Sequence, residues 1–131
     1  YARTGEPSPT TVLLMAAARR DFFLTVQHGQ FYQGKPVIGY DLPGFGDELC
    51  GLPYLPRLIA KARAKLVGSM GDDIIYCCEN DRRFFRDHGN IHPADFLRVV
   101  WAAGDSDPKV YDYVRQRTLS VSSAVPDNEQ T

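Results

Sequence analysis

The sequence predicts a mainly α, compact single domain of about four to five short helices, joined by a glycine-rich loop segment and carrying one short two-stranded pairing. Three observations lead there. Residues 55–70 repeat apolar side chains with a helical period, Pro93 and Pro108 open two further periodic segments, and residues 28–54 show no period while being rich in glycine and proline. A chain of 131 residues with 44% hydrophobic content is long enough for one core and short for two. The domain is expected over 11–118, between an N-terminal extension at 1–10 and a tail at 119–131.

Residues 1–10 are rich in Pro, Ser, Thr and Gly, and Ser8 or Thr10 is placed to cap a helix that runs to about Gln27. At about 100° per residue, Val12, Ala16, Arg19, Phe23 and Val26 share a stripe of that helix, which sets a guanidinium within an apolar face. Such a cation either reaches solvent along its stem, pairs with a carboxylate, or holds an anionic ligand, because an unpaired buried charge costs several kcal/mol.

Residues 28–54 read as an extended connection. The spacing of Gly44, Gly46 and Gly51 makes no dinucleotide fingerprint, since no G-x-G-x-x-G follows a strand and Pro43 interrupts the approach.

The helix from about Leu55 to Met70 carries Leu55, Leu58, Ile59, Ala62 and Leu66 on one stripe and is expected to stop at Gly71. Arg57, Lys61 and Lys65 step by four along another side, as a solvated or an anion-binding face. Arg63 projects about 80° from Leu55, at the shoulder of the apolar stripe, where it can reach a partly buried carboxylate such as Asp81.

Residues 72–78, DDIIYCC, suit a short strand or extended segment that pairs with Pro36–Tyr40. Asn80 is placed to cap a brief helix through Phe84 and Phe85 that ends near Gly89. Pro93 opens a helix that ends at Gly104, with Phe96, Val99, Val100 and Ala103 inward. Asp107 and Pro108 open the next, with Val110, Tyr111 and Val114 inward.

Several function classes fall away on composition. Fifteen Lys and Arg against sixteen Asp and Glu give a net charge of -1, so no general attraction to nucleic acid or anionic membrane is expected. The apolar run from Val12 to Ala18 is too short to span a bilayer, and the arginines that follow it stand in the wrong order for a signal peptide. Cys50, Cys77 and Cys78 are an odd set without C-x-x-C spacing, which points to a reducing, cytoplasmic setting rather than a disulfide scaffold. No pair among these cysteines, His28, His88 and His92 shows the spacing of a structural zinc site, so neither a metal nor another cofactor is expected. Cys77 and Cys78 read as buried small hydrophobes; a nucleophilic role would need a cation brought beside them.

The block from Leu42 to Val114 resembles the small bacterial proteins grouped as domain of unknown function 5069. The matching pieces are Gly51 with LPRLIAKARAKLVGSMG, the Tyr76, Cys77 and Asp81 region with Phe84 and Phe85, and ADFLRVVWAAGDSDPKVYDYV. The family pattern commonly has aspartate at Ala60 and a GEYHY-like run at 71–75, where this chain has GDDII. The resemblance implies a compact, mainly helical fold and no particular activity.

On the residues themselves, the expected function is a small-molecule-binding protein or a small cofactor-independent enzyme for an anionic or carbonyl-bearing metabolite. Arg63, Tyr76 and Asp81 are the candidate catalytic residues, and Arg19, Arg57, Lys61, Phe23, Tyr40 and Tyr54 the candidate ligand-binding ones. The aromatics Phe22, Phe23, Phe31, Tyr32, Tyr40, Phe45 and Tyr54 would line an apolar pocket, with residues 28–54 as its lid. The alternative is a non-catalytic interaction module that works through homo-oligomerisation or a partner protein.

Overall fold

A computed structural model describes residues 7–129 as five helices and one small hairpin: α1 Pro9–Thr25, β1 Glu48–Leu49, β2 Leu52–Pro53, α2 Leu55–Val67, α3 Glu79–Asp87, α4 Pro93–Ala103 and α5 Asp107–Glu129. The mainly helical fold expected from the sequence is the one observed. Residues 1–6 of the expected N-terminal extension, and 130–131 of the expected tail, lie outside the described residues.

Ser8 caps α1 by accepting from the Thr11 amide at 3.1 Å, and Pro9 follows at the first helical position. The helix buries Thr11, Met15 and Ala18, with Phe22 edge-on to Trp101 of α4. The stripe of Val12, Ala16, Arg19, Phe23 and Val26 is therefore not the buried face of the helix. Val12 and Val26 are 48% and 45% exposed, and Arg19 sits at the margin of the core rather than within it. Alpha1 is apolar on several sides, so its own period does not choose the inner face; packing against α4 and α2 does.

In the 28–54 segment, Cys50 and Gly51 take positive φ to turn β1 back onto β2, which sets Glu48 opposite Pro53 and Leu49 opposite Leu52. The pairing expected between 72–78 and 36–40 does not form. Val37 instead bridges Met70: its amide donates to the Ser69 carbonyl at 2.7 Å, and its carbonyl accepts from Gly71 at 2.7 Å. Residues 72–78 stay irregular, burying Ile74 and Tyr76 while Ile75 points out.

The stop of α2 also falls earlier than expected. Gly68, at φ +83, is the first residue that takes the left-handed conformation without a Cβ penalty, and its amide closes on the Ala64 carbonyl. Gly71 serves another purpose, since a Cβ there would lie 2.8 Å from the Val37 carbonyl oxygen that its amide bonds. Alpha5 continues to Glu129, past the end expected near Thr118.

The core joins all five helices. Leu55, Leu58, Ile59, Ala62 and Leu66 of α2 are all buried, as their period predicts, against Phe85 of α3, Phe96 and Leu97 of α4, and Val110 and Val114 of α5. Full burial of each large side chain contributes about 1.5–3 kcal/mol. Arg117 of α5 donates to the Gly89 carbonyl at 2.8 Å, tying the end of α3 down. Among the described residues, no helix is long and apolar enough to cross a membrane.

Candidate functional site

The polar centre of the molecule is built on Asp81, which is fully buried. Cys77 turns the chain with φ +72, Cys78 takes the N-cap position of α3, and the Asp81 carboxylate reaches back to accept from the amides of Cys77 at 2.9 Å and Cys78 at 3.3 Å. This is a capping box with a thiol in place of the usual hydroxyl and Asp in place of Glu.

Two side chains, the N-cap residue of α2 and one from its middle, complete the carboxylate's shell. Lys61 Nζ lies 3.1 and 3.0 Å from its two oxygens, and the Tyr54 hydroxyl donates to Oδ1. The side chains of Lys61 and Asp81 are 6% and 0% exposed. Two charges removed from water remain tolerable only when their other sites are bonded, and here four donors converge on one carboxylate. Lys61 also points Nζ at Cys78 Sγ, 3.4 Å away. Burial, and then the hydrogen bond and charge of Asp81, hold the Tyr54 phenol protonated far above the ordinary tyrosine range. At neutral pH it is therefore a donor and not a base.

A cleft of about 200 Å³ opens beside this cluster, with Tyr54, Lys61 and Cys78 on one side and Leu42, Phe45, Asp73, Ile74, Ile75 and Asn80 around it. Arg57 closes one wall: it lies 4.1 Å over the Phe45 ring and donates to the Pro43 carbonyl at 3.0 Å, while its Nε is buried without an acceptor. Asp73 accepts from the Gly39 amide at 2.9 Å. The loop segment 28–54 thus supplies a wall of the cleft through Leu42 and Phe45.

Of the residues singled out from the sequence, Asp81, Lys61, Arg57 and Tyr54 meet here, but not in the expected pairs. Arg63 does not reach Asp81. It sits two residues beyond Lys61, about 200° further round α2, and bonds Asp107 and, at 3.0 Å, the Gly104 carbonyl, at the turn from α4 into α5. Tyr76 is buried and donates to the Pro93 carbonyl at 2.8 Å, bracing α4 away from the cleft. Tyr40 is 94% exposed and lines neither wall.

The cationic row of α2 is divided as well: Lys61 is buried rather than solvated, Arg57 lines the cleft, and Lys65 lies beside Arg19 and Phe23 in a separate groove. The seven aromatics form no single pocket: Phe22 meets Trp101, Phe23 meets Phe31, and Phe45 meets Tyr54. Cys78, expected as a packing residue unless a cation came beside it, has Lys61 Nζ 3.4 Å from its sulfur, and the C-x-x-D spacing from Cys78 to Asp81 is the signal that it caps a helix beside a carboxylate.

Among the described residues, no three His, Cys, Asp or Glu side chains come together as a metal site would need. A family model described as a domain of unknown function (DUF5069) matches residues 46–124, which contain Tyr54, Arg57, Lys61, Cys78 and Asp81. No curated protein and no solved structure matches the chain.

Proposed function

We infer that this chain, which belongs to the domain of unknown function 5069 family, is a small-molecule-binding protein whose cleft takes a carbonyl-bearing metabolite. The observation that carries this reading is the ammonium of Lys61, fixed by Asp81 at the cleft and turned toward a thiol 3.4 Å away. Sulfur is a weak acceptor, so a ligand oxygen at that point gives Lys61 a better partner. Tyr54, held protonated, lies next to it, and Arg57, one turn before Lys61 on the same face of α2, also lines the cleft.

The charges around the cleft balance. Arg57, Lys61 and Asp73 line it, and the buried Asp81 behind it neutralises Lys61, which favours a neutral or zwitterionic carbonyl compound over a strongly anionic one. The volume suits a ligand of few heavy atoms. As an enzyme without a cofactor, the chain would act on the bound carbonyl through the adjacent Cys78 thiol, which is partly exposed in the cleft. Three free cysteines fit a reducing, cytoplasmic setting.

The test is native mass spectrometry of the purified chain, followed by thermal-shift screening with small aldehydes, ketones and amides. A retained or added ligand that raises the melting temperature, and whose effect is lost in Arg57→Gln, supports the reading. A shift that survives Arg57→Gln and Ile75→Trp, which would cover the cleft, overturns it.

A second reading, a non-catalytic module that assembles with itself or a partner, is favoured by a specific feature of α1. Leu13, Leu14 and Leu24 are 70%, 46% and 52% exposed on one helix. A clean oligomer without added mass in the same experiment would favour that reading.

A further inference from the structure

A second concavity, independent of the cleft, runs between α1 and the C-terminal end of α2. At about 530 Å³ it lies within the range of pockets that hold organic ligands. Its lining separates into two chemistries. Val12, Met15, Ala16, Phe23 and Phe31 are apolar, Arg19, Arg20 and Lys65 are cationic, and no acidic side chain lines it.

The cations are placed and not merely nearby. Arg19 Nε donates to the Lys65 carbonyl at 3.1 Å, which holds the guanidinium against the last turn of α2 and next to the Lys65 side chain. The ion pairs Lys61–Asp81, Arg63–Asp107, Arg83–Glu79 and Arg98–Asp21 use none of Arg19, Arg20 and Lys65. Burial, and then the neighbouring Arg19 charge, lower the pKa of Lys65, and no carboxylate among the groove's lining residues offsets the two cations.

The apolar part is equally unfilled. The Phe23 and Phe31 rings pack 4.9 Å apart at one end, yet Phe31 is 70% exposed and Val12 is 48% exposed. An apolar wall beside an uncompensated cationic corner complements a ligand with an anionic head and an apolar body.

We propose that this groove binds a medium- or long-chain carboxylate, with the carboxylate on Arg19 and Lys65 and the alkyl chain along Val12, Met15 and the Phe23–Phe31 pair. The head satisfies the guanidinium and ammonium together, and the chain covers apolar surface now facing water. Neither charge nor chain suffices alone, which separates this ligand from a free inorganic anion and from a neutral lipid.

The experiment is isothermal titration of the full chain with octanoate, using 1-octanol as the neutral analogue of equal length. Saturable one-to-one binding of octanoate is expected, at least tenfold tighter than octanol. It should weaken at least tenfold in Lys65→Gln and in Phe31→Ser, and stay unchanged in Arg57→Gln, whose side chain lies in the other cleft. Melting temperatures establish that each variant is folded; Phe31 lies on an exposed loop, so its variant keeps the test valid if Lys65→Gln proves unstable. The proposal is overturned if octanol binds as well as octanoate, if neither variant changes the affinity, or if octanoate does not bind. It is also overturned if sedimentation shows a dimer that octanoate leaves intact and Phe31→Ser dissociates, since the groove would then belong to a second copy.

Discussion

Asp81 receives hydrogen bonds from Lys61, Tyr54 and two backbone amides, whereas among the described residues Lys61 has only Asp81 and a thiol. The pair is therefore asymmetric. Removing the carboxylate leaves a buried ammonium with a weak sulfur acceptor and also uncaps α3, so Asp81→Ala is expected to cost about 3–5 kcal/mol. Lys61→Met leaves a carboxylate that keeps three donors, and it should cost less. Urea unfolding measures both, and equal costs would contradict the asymmetry.

Tyr54 gives a pH prediction at the same scale. Its folded pKa is raised above the unfolded value of 10.0, by burial first and Asp81 second. Its contribution is then fully present below pH 10.0 and lost as pH rises further, because only the unfolded chain releases the proton. Stability should fall less steeply above that pH in Tyr54→Phe than in the parent. Tyr113, also raised, acts with the same sign in both proteins, so an unchanged slope would remove Tyr54 from the account.

At the scale of elements, the ends of the helices are set by particular contacts. Gly89 has φ +92, and a Cβ there would lie 2.7 Å from the Arg117 carbonyl oxygen, a backbone atom that cannot swing aside. Gly89→Ala is expected to destabilise by about 1–3 kcal/mol and to loosen α5 from α3. Hydrogen exchange should show the loss of protection concentrated around 110–118. At Gly68, also left-handed, an added Cβ would meet the tip of Arg19, a flexible group that can move. Gly68→Ala should therefore displace Arg19 from the Lys65 carbonyl and weaken octanoate binding more than its stability cost alone would suggest.

At the scale of the whole molecule, two concavities of different chemistry lie along α2: a charge-balanced cleft over its first half and a cationic, apolar groove at its end. Binding at one should leave the other unchanged. Titrating octanoate with and without a cleft ligand tests this, and a shift in affinity of more than about fivefold, roughly 1 kcal/mol of coupling, would show that α2 links them.

Much of the fold was legible in the chain. The apolar period of 55–66, the proline starts of α4 and α5 and the serine cap of α1 each act over one or two helical turns, and each appears as expected. Asp81, Lys61, Arg57 and Tyr54 were also readable as polar or aromatic candidates. Their grouping was not, because period places Lys61 on α2 but cannot say that the 72–81 segment will fold over that side and bury it. The same holds for the inner face of α1 and for Arg63, whose partner lies 44 residues away. Local sequence determines where helices start and which stripe of α2 is inward, through hydrogen bonds and burial within a few turns. Which charges meet is decided only by tertiary packing, since an ion pair between distant segments depends on how the whole core closes.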